Sequence, residues 1–176
     1  MSATDPVSTP QADGVSAAVE LNGSVLVVHT GTVRVNYSCS LPERAEPIVD
    51  EIEFGITAPV VVPRGSHVDL WLTLRTLHGT KFERPANDIT GKLGVVVTGP
   101  VDFEPTANGL TNVEPARIGH TVLLSGGHTR FLATEPGLYT FAPGHLVTVV
   151  NGGQDGPRTI CELVGPPVPA IRTLVV

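Results

Sequence analysis

The chain is 176 residues long, 41% apolar and only 16% charged, with a mean hydropathy of +0.19. That length suits one domain with a substantial core, and no apolar run approaches the roughly 20 residues that span a bilayer as a helix. A net charge of −6 and a pI near 5.4, with nine Arg and two Lys scattered singly, argue against a nucleic-acid partner, which demands clustered cations.

The first residues, "MSATDPVSTPQADG", have no basic segment followed by an apolar one, so as they stand they are not a signal peptide. Their Ser, Thr, Pro, Gln, Asp and Gly read as a flexible tail over residues 1–15, ahead of a single domain over 16–176. Strands are expected at 16–21 and 24–29, joined at Asn22-Gly23, with Thr30-Gly31 as a tight hairpin into the next. That next stretch, "TVRVNYSCSL" (residues 32–41), alternates strictly: Val33, Val35, Tyr37, Cys39 and Leu41 on one face, polar residues on the other. A strand at 49–57 leads into "APVVVPRG", whose prolines limit ladder bonds and mark an edge.

Ser66–His78 is the longest stretch free of Gly and Pro, and it also alternates. Val68, Leu70, Leu72 and Leu74 share one face; Asp69, Trp71, Thr73 and Arg75 share the other. This predicts a strand over 67–77. Further strands are expected at 92–98, 119–125, 129–134, 145–150, 158–164 and 171–176, with "NGGQDG" (151–156) as a hairpin loop. The stretch 99–119 is the least regular and reads as a long loop or insertion. Many short strands punctuated by 19 Gly and 16 Pro imply an all-β antiparallel sandwich or barrel.

The two cysteines, Cys39 and Cys161, both fall on inward faces of predicted strands. A disulfide between an early and a penultimate strand would tie the two ends of a sandwich, closing about 120 residues and stabilising by about 5 kcal/mol on the loop-entropy model. The alternative is two buried free thiols that simply pack. A bonded pair favours an oxidising compartment, hence a secreted or cell-surface protein whose leader has been trimmed. No CxxC pair or His spacing suggests zinc, so no metal or other cofactor is expected.

Six histidines form no HExxH, HxH or HxxxH pattern. The nearest approach to a site is "GHTVLLSGGHT", where His120 and His128 flank Ser125-Gly126-Gly127; it is not a nucleophile elbow. Asp50, Glu51 and Glu53 form a small acidic cluster. Paired carboxylates serve glycoside hydrolysis or calcium, but one Trp, two Tyr and five Phe offer few sugar platforms, and a solvated strand end is the simpler reading. Trp71 is either a core anchor or an exposed contact beside Arg75; the leucine face makes the better core, leaving Trp71 and Arg75 as partner-binding candidates. The sequons at Asn22 and Asn36 lie in or beside strands and read as chance matches. No phosphate-binding glycine motif is present.

"VNYSCSLPE", "ITAPVVVPRGSHVDLWLTL", "PGLYTFAPGHLVTVV" and "TICELVGP", in that order over residues 30–164, resemble secreted immunoglobulin-like β-sandwich domains of uncharacterised exported actinobacterial proteins. The resemblance implies an antiparallel immunoglobulin-like sandwich with Cys39 and Cys161 as its structural pair, and nothing catalytic. The chain departs from it in front, where "VSAAVELNGSVLVVHTG" adds an N-terminal strand pair or arm. That arm, with Val25 and Val27 as contact candidates, would add to another subunit's sheet edge or pair within its own domain. The expected function is a non-enzymatic exported binding or assembly module whose partner is another protein or a second copy. The alternative is a decoration or tail component of a virus particle, and a hydrolase with a loop-borne site is the third reading.

Overall fold

A computed structural model describes residues 15–21, 24–151 and 156–176. Among these residues there is no helix, and the strands run β1 (Val15–Leu21), β2 (Ser24–Ser40), β3 (Ile48–Pro59), β4 (Val61–Val62), β5 (His67–Thr76), β6 (Thr90–Thr98), β7 (Thr106–Thr111), β8 (Leu123–Leu132), β9 (Gly137–Val149), β10 (Arg158–Leu163) and β11 (Ile171–Val175). Of the tail expected over residues 1–15, only Val15 is described, and it begins β1; the turn at Asn22-Gly23 and most of the 151–156 loop lie outside the described residues.

The pairing closes on itself. Following neighbours from β2 leads through β3, β5, β8, β7, β6, β9 and β10 and back to β2, each step antiparallel. Within this ring β6, β7 and β8 are consecutive neighbours, with β5 beside β8 and β9 beside β6: two overlapping Greek keys. Closure leaves the ring with no free edge. Three strands lie outside it. β1 pairs with the first half of β2, β11 with the first half of β9, and β4 runs parallel to β11. The immunoglobulin-like sandwich expected from the sequence is met only in its coarser content, an all-β and almost wholly antiparallel domain with an added N-terminal strand.

Cys39 and Cys161 are direct register partners on β2 and β10, with Cα atoms 4.0 Å apart and sulfurs at disulfide distance. The pair was expected to bridge the ends of a sandwich; it instead stitches the seam where the last ring strand meets the first. The alternation that defined the inward face of β2 holds: Val35, Tyr37 and Cys39 are buried, as are Val68, Leu70, Leu72 and Leu74 of β5. Fully enclosing a side chain such as Phe54, Ile56 or Leu70 stabilises by roughly 1.5–3 kcal/mol each. Tyr37 packs tilted against Phe54 at 5.6 Å between ring centroids and donates its hydroxyl to the Gly144 carbonyl, so it spans the interior from β2 to β9.

Several boundaries differ from expectation, mostly at glycine. Thr30-Gly31 is not a hairpin: both lie within β2, opposite Thr57 and Ile56. Gly31 is there because the Ala170 carbonyl crosses where its Cβ would stand. Gly126-Gly127 does not split 119–134 into two strands; β8 runs through them, Gly126 at φ +83° and Gly127 packed against Leu110 and Leu72. The irregular stretch 99–119 contains β7, whose alternation is broken by Gly109 at φ +90°. β9 starts at Gly137, eight residues before the expected 145, and tolerates Pro143 because that residue sits where the register with β6 shifts.

Two connections at one end of the ring are bound together. Arg84 and Ala116 exchange backbone hydrogen bonds, and Thr80 pairs with Gly119 and His120. Asn112, fully buried, fixes both: its Oδ1 accepts from the Ile89 amide at 2.8 Å, and its Nδ2 donates to the carbonyls of Pro85 at 2.8 Å and Glu114 at 2.9 Å.

Candidate functional site

The outward face of β2, β3, β5 and β8 carries the residues singled out for contact. Register sets a row across it: Thr30, Thr57, Trp71, His128 and, on β7, Asn108. Because β5 sends its leucines inward, Trp71 must point out, and it remains 36% exposed. The His128 ring lies 5.8 Å from the Trp71 ring at 40°, and His128 Nε2 donates to Asp69 Oδ1 at 2.9 Å. Arg130 Nε approaches the same carboxylate at 3.6 Å. The indole is thus flanked by a charged cluster of fixed geometry, and Thr30 and Thr57 are hydrogen-bonded through their hydroxyls at 2.6 Å on its other side.

Arg75 lies on the same face, opposite Glu53 on β3 and Leu123 on β8. Glu53 is engaged by Arg34 at 2.9 Å, and among the described residues no carboxylate lies within ion-pair distance of Arg75. Trp71 and Arg75 therefore share the outward face of β5, an aromatic and a guanidinium about 13 Å apart along the strand. Val27 is exposed, but alternation along β2 places it on the face opposite the Thr30 row, so it does not join Trp71. Val25 pairs with Glu20 of β1, and its side chain lies outside the described ones. The arm pairs within its own chain, and among the described residues β1 has β2 as its only neighbour.

The chemistry weighed in sequence is dispersed. Among the described residues no hydrogen bond joins His120 or His128 to Ser125, and His128 turns to Asp69. The acidic cluster divides, Asp50 accepting from His78 Nδ1 at 3.0 Å while Glu53 holds Arg34. A third pair, His145 Nδ1 to Glu104 Oε1 at 2.8 Å, lies over Gly94 and Gly144, either of whose Cβ atoms would strike the Glu104 carboxylate. No sequence spacing signals these three His–carboxylate pairs, since their members lie 28, 59 and 41 residues apart. They sit in separate places, and among the described residues no three His, Cys, Asp or Glu side chains are grouped to hold a metal ion. The Tyr37 hydroxyl is driven well above the usual tyrosine range, first by burial and then by the Glu104 charge, so it stays protonated and acts as a structural donor. Among the described residues no helix is long and apolar enough to cross a membrane.

No protein-family model, no curated protein and no solved structure matches this chain.

Proposed function

We propose that the protein is a non-enzymatic, exported binding module that docks another protein on the outward face of β5. The observation that carries this reading is Trp71, the chain's one tryptophan, exposed on the sheet with the His128 ring beside it and His128 in turn bound to Asp69. Aromatic and arginine anchors on rigid elements are what interface hot spots are made of, and Trp71 with Arg75 supplies both. The Cys39–Cys161 pair supports an extracellular site of action, since such bonds persist in oxidising compartments. The immunoglobulin-like relationship belongs to this reading too; its support is the early Tyr-x-Cys strand and the late second cysteine.

A photo-crosslinking amino acid placed at position 71, and at Lys92 on β6 as a control, tests the reading in an extract of the native source. The expected result is one crosslinked species from position 71, displaced by excess wild-type protein and not by Trp71→Ser/Arg75→Glu. The same products from both positions, or displacement by the double variant, would reject it.

A second reading rests on a different observation. The outer edge of β1 is unpaired among the described residues, and an open edge accepts another strand. This favours self-assembly, as in a virus-particle component. Light-scattering mass across a concentration series decides it: defined large oligomers, abolished by Ala18→Pro in β1, support assembly, and a concentration-independent monomer excludes it.

A further inference from the structure

The end of the ring that holds the cysteine pair is not filled. A cavity of about 230 Å³ opens there, bounded by the last turns of β2, β5 and β9 and the first of β3, β8 and β10. Its floor is aliphatic and buried: Ile52, Leu74, Leu124 and Leu146. One wall is the Cys39–Cys161 pair itself. Phe82, on the β5–β6 connection, leans over the opening and is 46% exposed.

Polar groups occur only at the rim. Thr148 and Thr159 are register partners on β9 and β10, on the same inward face as Leu146 and Cys161. Both residues are half-buried and line the opening, and neither hydroxyl hydrogen-bonds to another described residue, so each can donate to or accept from a ligand's oxygen. The Asp50–His78 pair stands at the rim on β3 and the β5–β6 connection.

We infer that this mouth is a binding site for a small apolar molecule carrying a single hydroxyl, its body on the aliphatic floor and its oxygen between Thr148 and Thr159. The mouths of β-barrels are common ligand sites, mostly apolar with a few placed polar groups. A cavity of about 150 Å³ accommodates benzene, so by proportion this one suits about nine non-hydrogen atoms. An alcohol both donates to and accepts from threonine hydroxyls. A carboxylate would face Asp50, and an amine would compete with His78 for it. The connection over the mouth is pinned by Asn112 and the Arg84–Ala116 bridge, so the site is preformed and does not rely on closure. This inference does not depend on the docking face of β5, which lies outside the ring.

The test is a methyl and amide NMR titration of the full chain with 1-octanol, with octane and octanoate as comparison probes. Expected are saturable shifts confined to Ile52, Leu74, Leu124, Leu146, Thr148 and Thr159, at least tenfold weaker with octanoate. Thr148→Val/Thr159→Val, nearly isosteric, should weaken octanol by about tenfold and leave octane unchanged, the value of roughly one hydrogen bond. Leu124→Trp, confirmed folded by its dispersed amide spectrum, should abolish binding of both; if it does not fold, the threonine variant carries the test alone. Octanol should also slow release of Cys39 and Cys161 thiols by a reductant severalfold. Shifts that do not saturate, that centre on Trp71, or that survive unchanged in the threonine variant would overturn the inference.

Discussion

The two ends of the ring are built from different materials. At the end where β5 and β9 begin, Phe131 is surrounded by Phe103 at 4.9 Å, Tyr139 at 5.8 Å and Phe141 at 6.1 Å between centroids, and the interior is filled with rings. At the opposite end the lining is aliphatic, a cavity remains, and a covalent cross-link sits in the wall. Aromatic packing fills volume and needs no further restraint. Where that volume is left open, cohesion comes from the cysteine pair and from the Asn112 hydrogen bonds that fasten the overlying connections. One end is held by dispersion and burial, the other by a covalent bond and a few polar ties.

That contrast predicts which changes hurt most. Removing the cross-link with Cys39→Ala/Cys161→Ala should cost the most, about 5 kcal/mol for a separation of 122 residues, seen as a lower urea midpoint than wild type. Phe141→Ala, emptying the aromatic end, should cost about 3–5 kcal/mol by the same assay, whereas Leu124→Ala beside the existing void should fall near 2 kcal/mol. Equal costs for these two would mean the ends do not differ in packing. Asn112→Ala leaves the Ile89 amide and two carbonyls without their partners and should cost about 3 kcal/mol, with faster hydrogen exchange confined to residues 77–89 and 112–122.

Tyr37, lying between the two ends, gives a test in pH. Its folded pKa is raised by burial and by Glu104, so its contribution is intact below about pH 10, where the unfolded chain also keeps the proton, and declines as pH rises toward the folded value. Tyr37→Phe should cost about 1 kcal/mol at neutral pH through loss of the hydrogen bond to Gly144, and should flatten that alkaline decline. The smallest effect is expected outside the ring. Trp71→Ser should change stability by less than about 1 kcal/mol, so a loss of partner binding in that variant would report on the surface and not on the fold.

What was legible in the sequence was whatever alternation alone decides. The inward set of β2, the leucine face of β5 and the outward placement of Trp71 and Arg75 follow from period two, because a strand has only two faces. Glycine was the main source of error. Gly31, Gly126 and Gly127 have the appearance of turn residues, but they mark a crossing backbone, a bulge and a tight contact with Leu110, and only the partner in space tells these apart. Ring closure was equally hidden, since β2 and β10 are brought together from opposite ends of the chain. The His–carboxylate pairs and the cavity share that origin: both are properties of strand neighbours, and neighbours are not written locally.

The seam between β2 and β10 also imposes an order on synthesis. β2 is among the first strands to emerge, yet its partner over Tyr37–Ser40 consists of Ile160–Leu163. Until those residues appear, the nascent sheet keeps an unsealed margin with Cys39 as a lone thiol on its inner face. Joining Cys39 to Cys161, with the two electrons passed to an oxidant of the surrounding compartment, is therefore a record of completion: a molecule carrying that bond has brought its last ring strand home, and one arrested short of residue 161 has not.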